Sequence, residues 1–76
     1  MRVEVLFRST TSDGGFNRYL TRDQVALLTK GDIVYLDDTP WAVGYYEIKQ
    51  RTIKFNPTAE VIETVVLLME WKGYYG

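Results

Sequence analysis

The sequence predicts a small α+β domain: a strongly twisted antiparallel sheet of about five strands with one short helix near residues 21–30. The first eight residues place an apolar side chain at every second position, helix capping signals surround residues 21–31, and most of the aromatic residues lie in the strand-like second half. A chain of 76 residues buries only about 60% of its unfolded surface and supports one hydrophobic core. Residues 1–76 are therefore expected to form a single domain.

The composition narrows the classes of chemistry. The chain contains no cysteine and no histidine, which excludes disulfides, thiolate nucleophiles, cysteine-ligated metals and the commonest general base. No nucleotide-binding glycine motif is present either. The sequence thus predicts a protein that is not an enzyme and needs no cofactor. A formal net charge of −1 counts against strong nucleic-acid binding, which normally needs a basic domain.

The N-terminal segment predicts a hairpin. "MRVEVLFR" places Met1, Val3, Val5 and Phe7 on one side of a strand, which predicts one buried face. "STTSDGG" is typical of a turn, so residues 9–15 are predicted to be a flexible loop. "FNRYL" then returns as a second strand, with Phe16, Arg18 and Leu20 on one side.

Residues 21–30 predict a helix of about two turns. Thr21 and Gln24 have the spacing of a capping box, and Asp23 lies where the helix dipole favours an acid. Gly31 is predicted to lie just beyond the helix end. Because so short a helix is unstable alone, it must pack across the sheet.

Residues 32–55 predict two or three further strands. "DIVYL" is a strand that ends at the turn "DDTP", and "WAVGYYEIKQ" resumes as the next strand. Its parity changes within the segment, since Trp41, Val43 and Tyr45 share one side while Tyr46 and Ile48 share the other. Gly44 is the predicted bulge. "RTIKF" either continues this strand or turns back as a hairpin partner.

Residues 56–71 fit two structures. Asn56 and Pro57 could begin a helix whose apolar stripe is Ala59, Ile62, Val65, Val66 and Met69. The concentration of β-branched residues favours a strand instead. We assign a central strand to Thr64–Trp71, with a helical turn allowed before it, and a loosely tied tail at residues 72–76.

Two resemblances accompany this pattern. "GDIVYLDDTPWAVGYYEI" is similar to the Gly-Asp, strand, tight turn, strand arrangement of SH3-like small barrels, and that resemblance implies a partly open barrel. The short, cysteine-free, aromatic-rich chain also resembles small accessory proteins encoded by bacteriophages and mobile elements, which implies an accessory or inhibitor role. Neither resemblance assigns functional residues.

The predicted function is a non-enzymatic small binding module that acts through protein–protein interaction. Tyrosine and tryptophan are favoured at binding hot spots, and carboxylates can orient a basic partner. The predicted protein-binding residues are Tyr35, Asp37, Asp38, Trp41 and Tyr45. Trp41 could equally close one end of the core, and the sequence leaves the inward or outward direction of Trp41 and Tyr45 open.

Two alternative functions remain. A small β-barrel that binds single-stranded nucleic acid would stack bases on rings beside cations. The residues for that role are Tyr46, Lys49, Arg51, Lys54 and Phe55. A homo-oligomeric structural protein would instead cover exposed strand edges with a second copy.

The remaining acids and the flanking segments predict no further site. Asp32, Asp37 and Asp38 are read as turn residues, so no metal site is predicted. No apolar run is long enough for a membrane span, and the charged N-terminal segment does not fit a signal peptide. With cysteine absent as well, the predicted location is the cytoplasm.

Overall fold

The computed structural model describes residues 2–11, 14–55 and 63–74. Within these ranges the chain forms, in order, β1 (Arg2–Ser9), β2 (Phe16–Thr21), α1 (Arg22–Ala26), β3 (Ile33–Leu36), β4 (Gly44–Phe55) and β5 (Glu63–Gly73). The strands form one sheet in the order β2-β1-β5-β4-β3, curled into a half-barrel. The fold is mostly β, and both the α+β class and the partly open SH3-like barrel stay predictions.

The sheet is mixed, so the prediction of a purely antiparallel sheet is wrong. β1 and β5 run parallel, in register from Glu4 opposite Thr64 to Ser9 opposite Met69. The other three strand pairs are antiparallel. Local hairpin signals can specify only neighbours in sequence, whereas a parallel pair joins strands separated by a long connection. Here that connection contains most of the chain.

One face of the sheet, the inner face, carries the hydrophobic core. Its fully buried members alternate along three strands, as the pattern of the first strand predicted: Val3, Val5 and Phe7 of β1, Val65, Leu67 and Met69 of β5, and Tyr46 and Ile48 of β4. Val25 of α1 completes this core. The opposite side is called the outer face.

β5 is apolar on both faces, as predicted for a central strand. Its inner residues are buried, and Val66 and Leu68 are half-buried on the outer face. The strand extends from Glu63 to Gly73, so it contains the predicted Thr64–Trp71 and the first residues assigned to the tail. The predicted helical turn lies in residues 56–62, outside the described residues.

The helix is shorter than predicted but begins where expected. Thr21 caps it, and Gln24 returns the hydrogen bond to the Thr21 backbone, so the capping box is confirmed. The helix ends at Ala26 instead of Lys30. The chain then turns because Asp32 bonds back to Thr29, and Gly31 at φ 94° allows the reversal into β3. Among the described residues no helix is long and apolar enough to cross a membrane.

β4 begins later than its sequence pattern indicated, and of the two alternatives for "RTIKF" the structure shows the continued strand. Trp41 to Val43 belong to the preceding turn, and the strand continues unbroken through "RTIKF" to Phe55. The register against β5 shifts twice, between Tyr45 and Tyr46 and again between Ile48 and Gln50. The predicted bulge therefore lies one residue after Gly44, and a second bulge was not anticipated.

The assignment of the two faces predicts unequal costs for two adjacent truncations in β5. Leu67→Ala removes a fully buried side chain from the inner face and should lower the free energy of unfolding by about 3 kcal/mol. Leu68→Ala, on the half-buried outer face, should cost roughly 1 kcal/mol. Urea denaturation of both variants measures the difference, and equal costs would contradict the assigned faces.

Candidate functional site

A cleft opens at the end of the inner face where β1 and β5 finish and β4 begins. It has a volume of about 410 Å³ and is lined by Ser9, Thr11, Pro40, Trp41, Ala42, Tyr46 and Trp71. Both tryptophans of the chain lie in this lining. The volume falls within the range of roughly 300–1,000 Å³ that is typical of ligand pockets.

A continuous series of ring contacts builds the cleft wall. Phe7 stacks on Phe16 with centroids 4.7 Å apart, and Phe16 meets Trp41 edge to face at 4.8 Å. Trp41 then contacts Tyr46 at 5.4 Å, and Tyr46 contacts Trp71 at 5.2 Å. Such pairs add about 0.5–1.5 kcal/mol each beyond burial. The wall is therefore anchored in the core and preformed.

Trp41 is held in place by more than its ring contacts. Its indole Nε1 donates to the Gly14 carbonyl at 3.1 Å, and its backbone N–H donates to Thr39 Oγ1 at 3.3 Å. The side chain packs against the core and is half-buried. Trp41 thus both closes one end of the core and presents part of its ring to the cleft, which joins the two alternatives that the sequence left open.

Tyr46 is buried beneath the cleft with its hydroxyl satisfied. Its Oη donates to the Ala42 carbonyl at 2.6 Å, which ties the turn before β4 to the strand. Burial raises the pKa of the Tyr46 phenol because the charged form is poorly solvated there. The group is therefore neutral at physiological pH and acts as a hydrogen-bond donor.

Gly44 provides space for the Trp71 ring. A Cβ atom at this position would lie 2.5 Å from two carbons of that ring and 2.8 Å from the Gly73 carbonyl oxygen. Both distances are far shorter than a van der Waals contact, so the ring can occupy this position only above a glycine. Trp71 in turn supports Tyr74, whose ring lies edge to face at 5.6 Å.

The structure divides the predicted protein-binding residues between two faces. Tyr35 and Tyr45 are cross-strand partners whose rings meet at 5.1 Å on the outer face. Trp41 lies on the inner side with Tyr46. Asp37 and Asp38 are exposed on the turn that leads from β3 to the cleft. Trp41 therefore lies on the opposite side of the sheet from the tyrosine pair.

The predicted nucleic-acid residues do not form one surface either. Tyr46 is buried, and Lys49 pairs with Glu47 at 3.5 Å. Strand register places Arg51 opposite Leu67 on the inner face and Lys54 opposite Thr64 on the outer face. Phe55 is 67% exposed at the far end of β4 from the cleft.

The aspartates of the turns have structural roles or lie exposed to solvent. Asp32 accepts hydrogen bonds from Thr29 Oγ1 at 2.7 Å and from Thr29 N, and these bonds lower its pKa. Asp38 adopts φ 53°, a left-handed conformation that aspartate tolerates in turns. In the part of the chain that is described, no three potential metal-ligating side chains come together.

Sequence reasoning missed most of the cleft lining. Trp71 was assigned to a strand, but its position over Gly44 depends on the β4–β5 register. Ser9 and Thr11 come from the end of β1, which reaches the cleft through its parallel pairing with β5. The combination of a glycine with a tryptophan on the next strand was the available signal for a close ring contact.

Gly44→Ala should displace the Trp71 ring and lower the free energy of unfolding by about 1–3 kcal/mol, because the added methyl overlaps the indole. Near-ultraviolet circular dichroism and tryptophan emission measure the displacement. Gly31→Ala is the matched control, since its Cβ meets open space at a positive φ. That control should lose stability without a change in the tryptophan signals. Unchanged signals in Gly44→Ala would contradict the contact.

Tyr46 should make the fold sensitive to alkaline pH. Because the pKa of Tyr46 is raised in the folded state, the unfolded chain releases this proton first as the pH passes about 10. The free energy of unfolding should therefore fall as pH rises above that value. Tyr46→Phe should reduce the slope, whereas Tyr19→Phe, at an exposed position, should keep it. Denaturation between pH 8 and 11 tests this, and equal slopes in Tyr46→Phe and the parent would refute it.

Comparisons of this chain with known proteins found no relative. No protein-family model matches the chain, and no significant match was found among curated proteins or solved structures.

Proposed function

We propose that this protein is a non-enzymatic binding module that receives an apolar side chain of another protein in its aromatic cleft. The observation that carries the proposal is the preformed cleft of about 410 Å³ lined by both tryptophans of the chain. Half-buried indoles held by neighbouring rings are typical of protein-binding hot spots, because they offer a large contact area at little further entropic cost.

The chemistry of the lining supports an apolar occupant. Neither a carboxylate nor an amine is among the lining residues. The Tyr46 hydroxyl and the Trp41 Nε1 already donate to backbone carbonyls. Trp71 Nε1 donates to none of the described residues and could bond to a partner's backbone carbonyl. These neutral walls favour an aliphatic or aromatic anchor over a charged substrate, and they provide no general base for catalysis.

The neighbouring acids indicate the character of the partner around that anchor. Asp37 and Asp38 are exposed on the turn that continues into Pro40 and Trp41 of the cleft. They would favour a partner with basic residues beside the inserted side chain. Exposed charges of this kind act mainly on association rate and on specificity, and their effect weakens with salt.

The nucleic-acid alternative has less support. Its five residues are divided between buried, inner-face and outer-face positions, and Lys49 is engaged with Glu47. The proposal keeps the accessory or inhibitor role and the cytoplasmic location. A small module that binds a partner and blocks one of its surfaces would fit both.

Ala42→Glu should abolish partner binding because Ala42 lines the cleft, and a carboxylate there would occupy it without altering a ring. We expect affinity to fall by at least about tenfold. The measurement is a titration with a protein first captured from the source cell, followed through intrinsic tryptophan emission, which arises only from the cleft. Val43→Glu is the matched control, because Val43 is exposed but does not line the cleft.

The same titration also tests the double variant Asp37→Asn, Asp38→Asn. This double variant should weaken binding at low salt and approach the parent at high salt. Equal loss in Ala42→Glu and Val43→Glu, or binding without any change in tryptophan emission, would place the partner elsewhere and overturn the proposal.

A further inference from the structure

The second half of β4 has one strand edge that none of the described residues covers. β3 pairs with Gly44 to Glu47, and Gly31 and Asp32 bond to Ile48. From Gln50 to Phe55, β4 pairs with β5 on one side, and no described backbone group pairs with it on the other. Within the described parts of the chain, a six-residue length of strand therefore presents N–H and C=O groups without a backbone partner on this side.

This edge, Gln50–Phe55, is poorly protected against pairing. It contains no proline and no glycine, and Thr52, Ile53 and Phe55 all favour strands. Ile53 is 50% and Phe55 67% exposed, both with inner-face register. Its protection among the described residues is the charge of Arg51 and Lys54 and the bulge between Ile48 and Gln50 at its start.

Arg51 and Lys54 determine the charge that an added strand should carry. Neither Arg51 nor Lys54 forms an ion pair with the described residues. The Arg51 Nε atom is buried without a hydrogen-bond partner. Arg51 lies on the inner face and Lys54 on the outer face, so an added strand would meet one cation on each side.

We propose that the Gln50–Phe55 edge binds an extended acidic segment of another protein by strand addition. Backbone hydrogen bonds would supply affinity, acids opposite Arg51 and Lys54 would supply charge complementarity, and apolar residues would cover Ile53 and Phe55. A second copy is a poor occupant, because edge-to-edge pairing would bring these bases close to one another. This surface lies at the opposite end of β4 from the aromatic cleft, so the inference is independent of the proposed function.

The test uses two end-blocked peptides with the same strand propensity. Thr-Val-Glu-Val-Thr-Glu-Thr places its acids opposite Lys54 and Arg51 in antiparallel pairing, and Thr-Val-Lys-Val-Thr-Lys-Thr reverses their charge. Amide chemical shifts and hydrogen exchange of the intact protein are followed by NMR. We expect the acidic peptide to shift and protect amides within Gln50–Phe55, and to bind about tenfold more tightly than the lysine peptide.

Variants of the protein separate charge from backbone pairing. Lys54→Glu should lower the affinity for the acidic peptide about fivefold and raise the affinity for the lysine peptide. Arg8→Glu is the matched control, since it makes the same charge change at an exposed site on β1 and should leave both affinities unchanged. A version of the acidic peptide with N-methylated backbone should not bind, because strand addition needs its N–H groups.

Four results would overturn the inference. They are equal binding of the two peptides, shifts that map outside Gln50–Phe55, full binding by the N-methylated peptide, and stronger shifts of the same amides by a single-stranded oligothymidine. Shifts at this edge that depend on protein concentration alone would instead assign it to a second copy. Each result is read from the same spectra.

Discussion

The parallel pairing of β1 with β5 is the contact on which the rest of the structure depends. It joins Val5 to Val65 and Phe7 to Leu67, so the two ends of the chain supply the centre of the core. On the β1 side of this pair lie β2 and α1, and on the β5 side lie β4 and β3. Without the β1–β5 contact neither half could bury its apolar face, since a hairpin alone is marginally stable.

The same pairing creates the cleft. Because β1 and β5 run in one direction, both finish at the end of the sheet where β4 begins. Ser9 and Trp71 come together there, and the turn before β4 brings Trp41 against them. An antiparallel β1 would have placed Arg2 at this end instead. The direction of one strand thus determines which residues form the candidate site.

Local features were predictable from the sequence, and nonlocal ones were not. The alternation from Val3 to Phe7, the Thr21 capping box and the central strand at Thr64–Trp71 all follow from patterns within one segment. The direction of β1 against β5 follows from no local pattern. The faces of Trp41 and Tyr45 were also uncertain, because Trp41 lies in a turn, where strand parity does not apply. Of the cleft lining, Trp41 was among the residues singled out in the sequence, but its position on the opposite face from Tyr35 and Tyr45 was not predicted.

The central position of β5 has a consequence for how the protein forms in the cell. The strand that joins both halves of the sheet, Glu63–Gly73, comes last in chain order among the described strands. Until it has left the ribosome, β1 and β4 each lack their central neighbour and expose apolar inner faces. The sheet can therefore assemble only after all five described strands have emerged, and the nascent chain is most vulnerable to aggregation or chaperone capture before β5 does so.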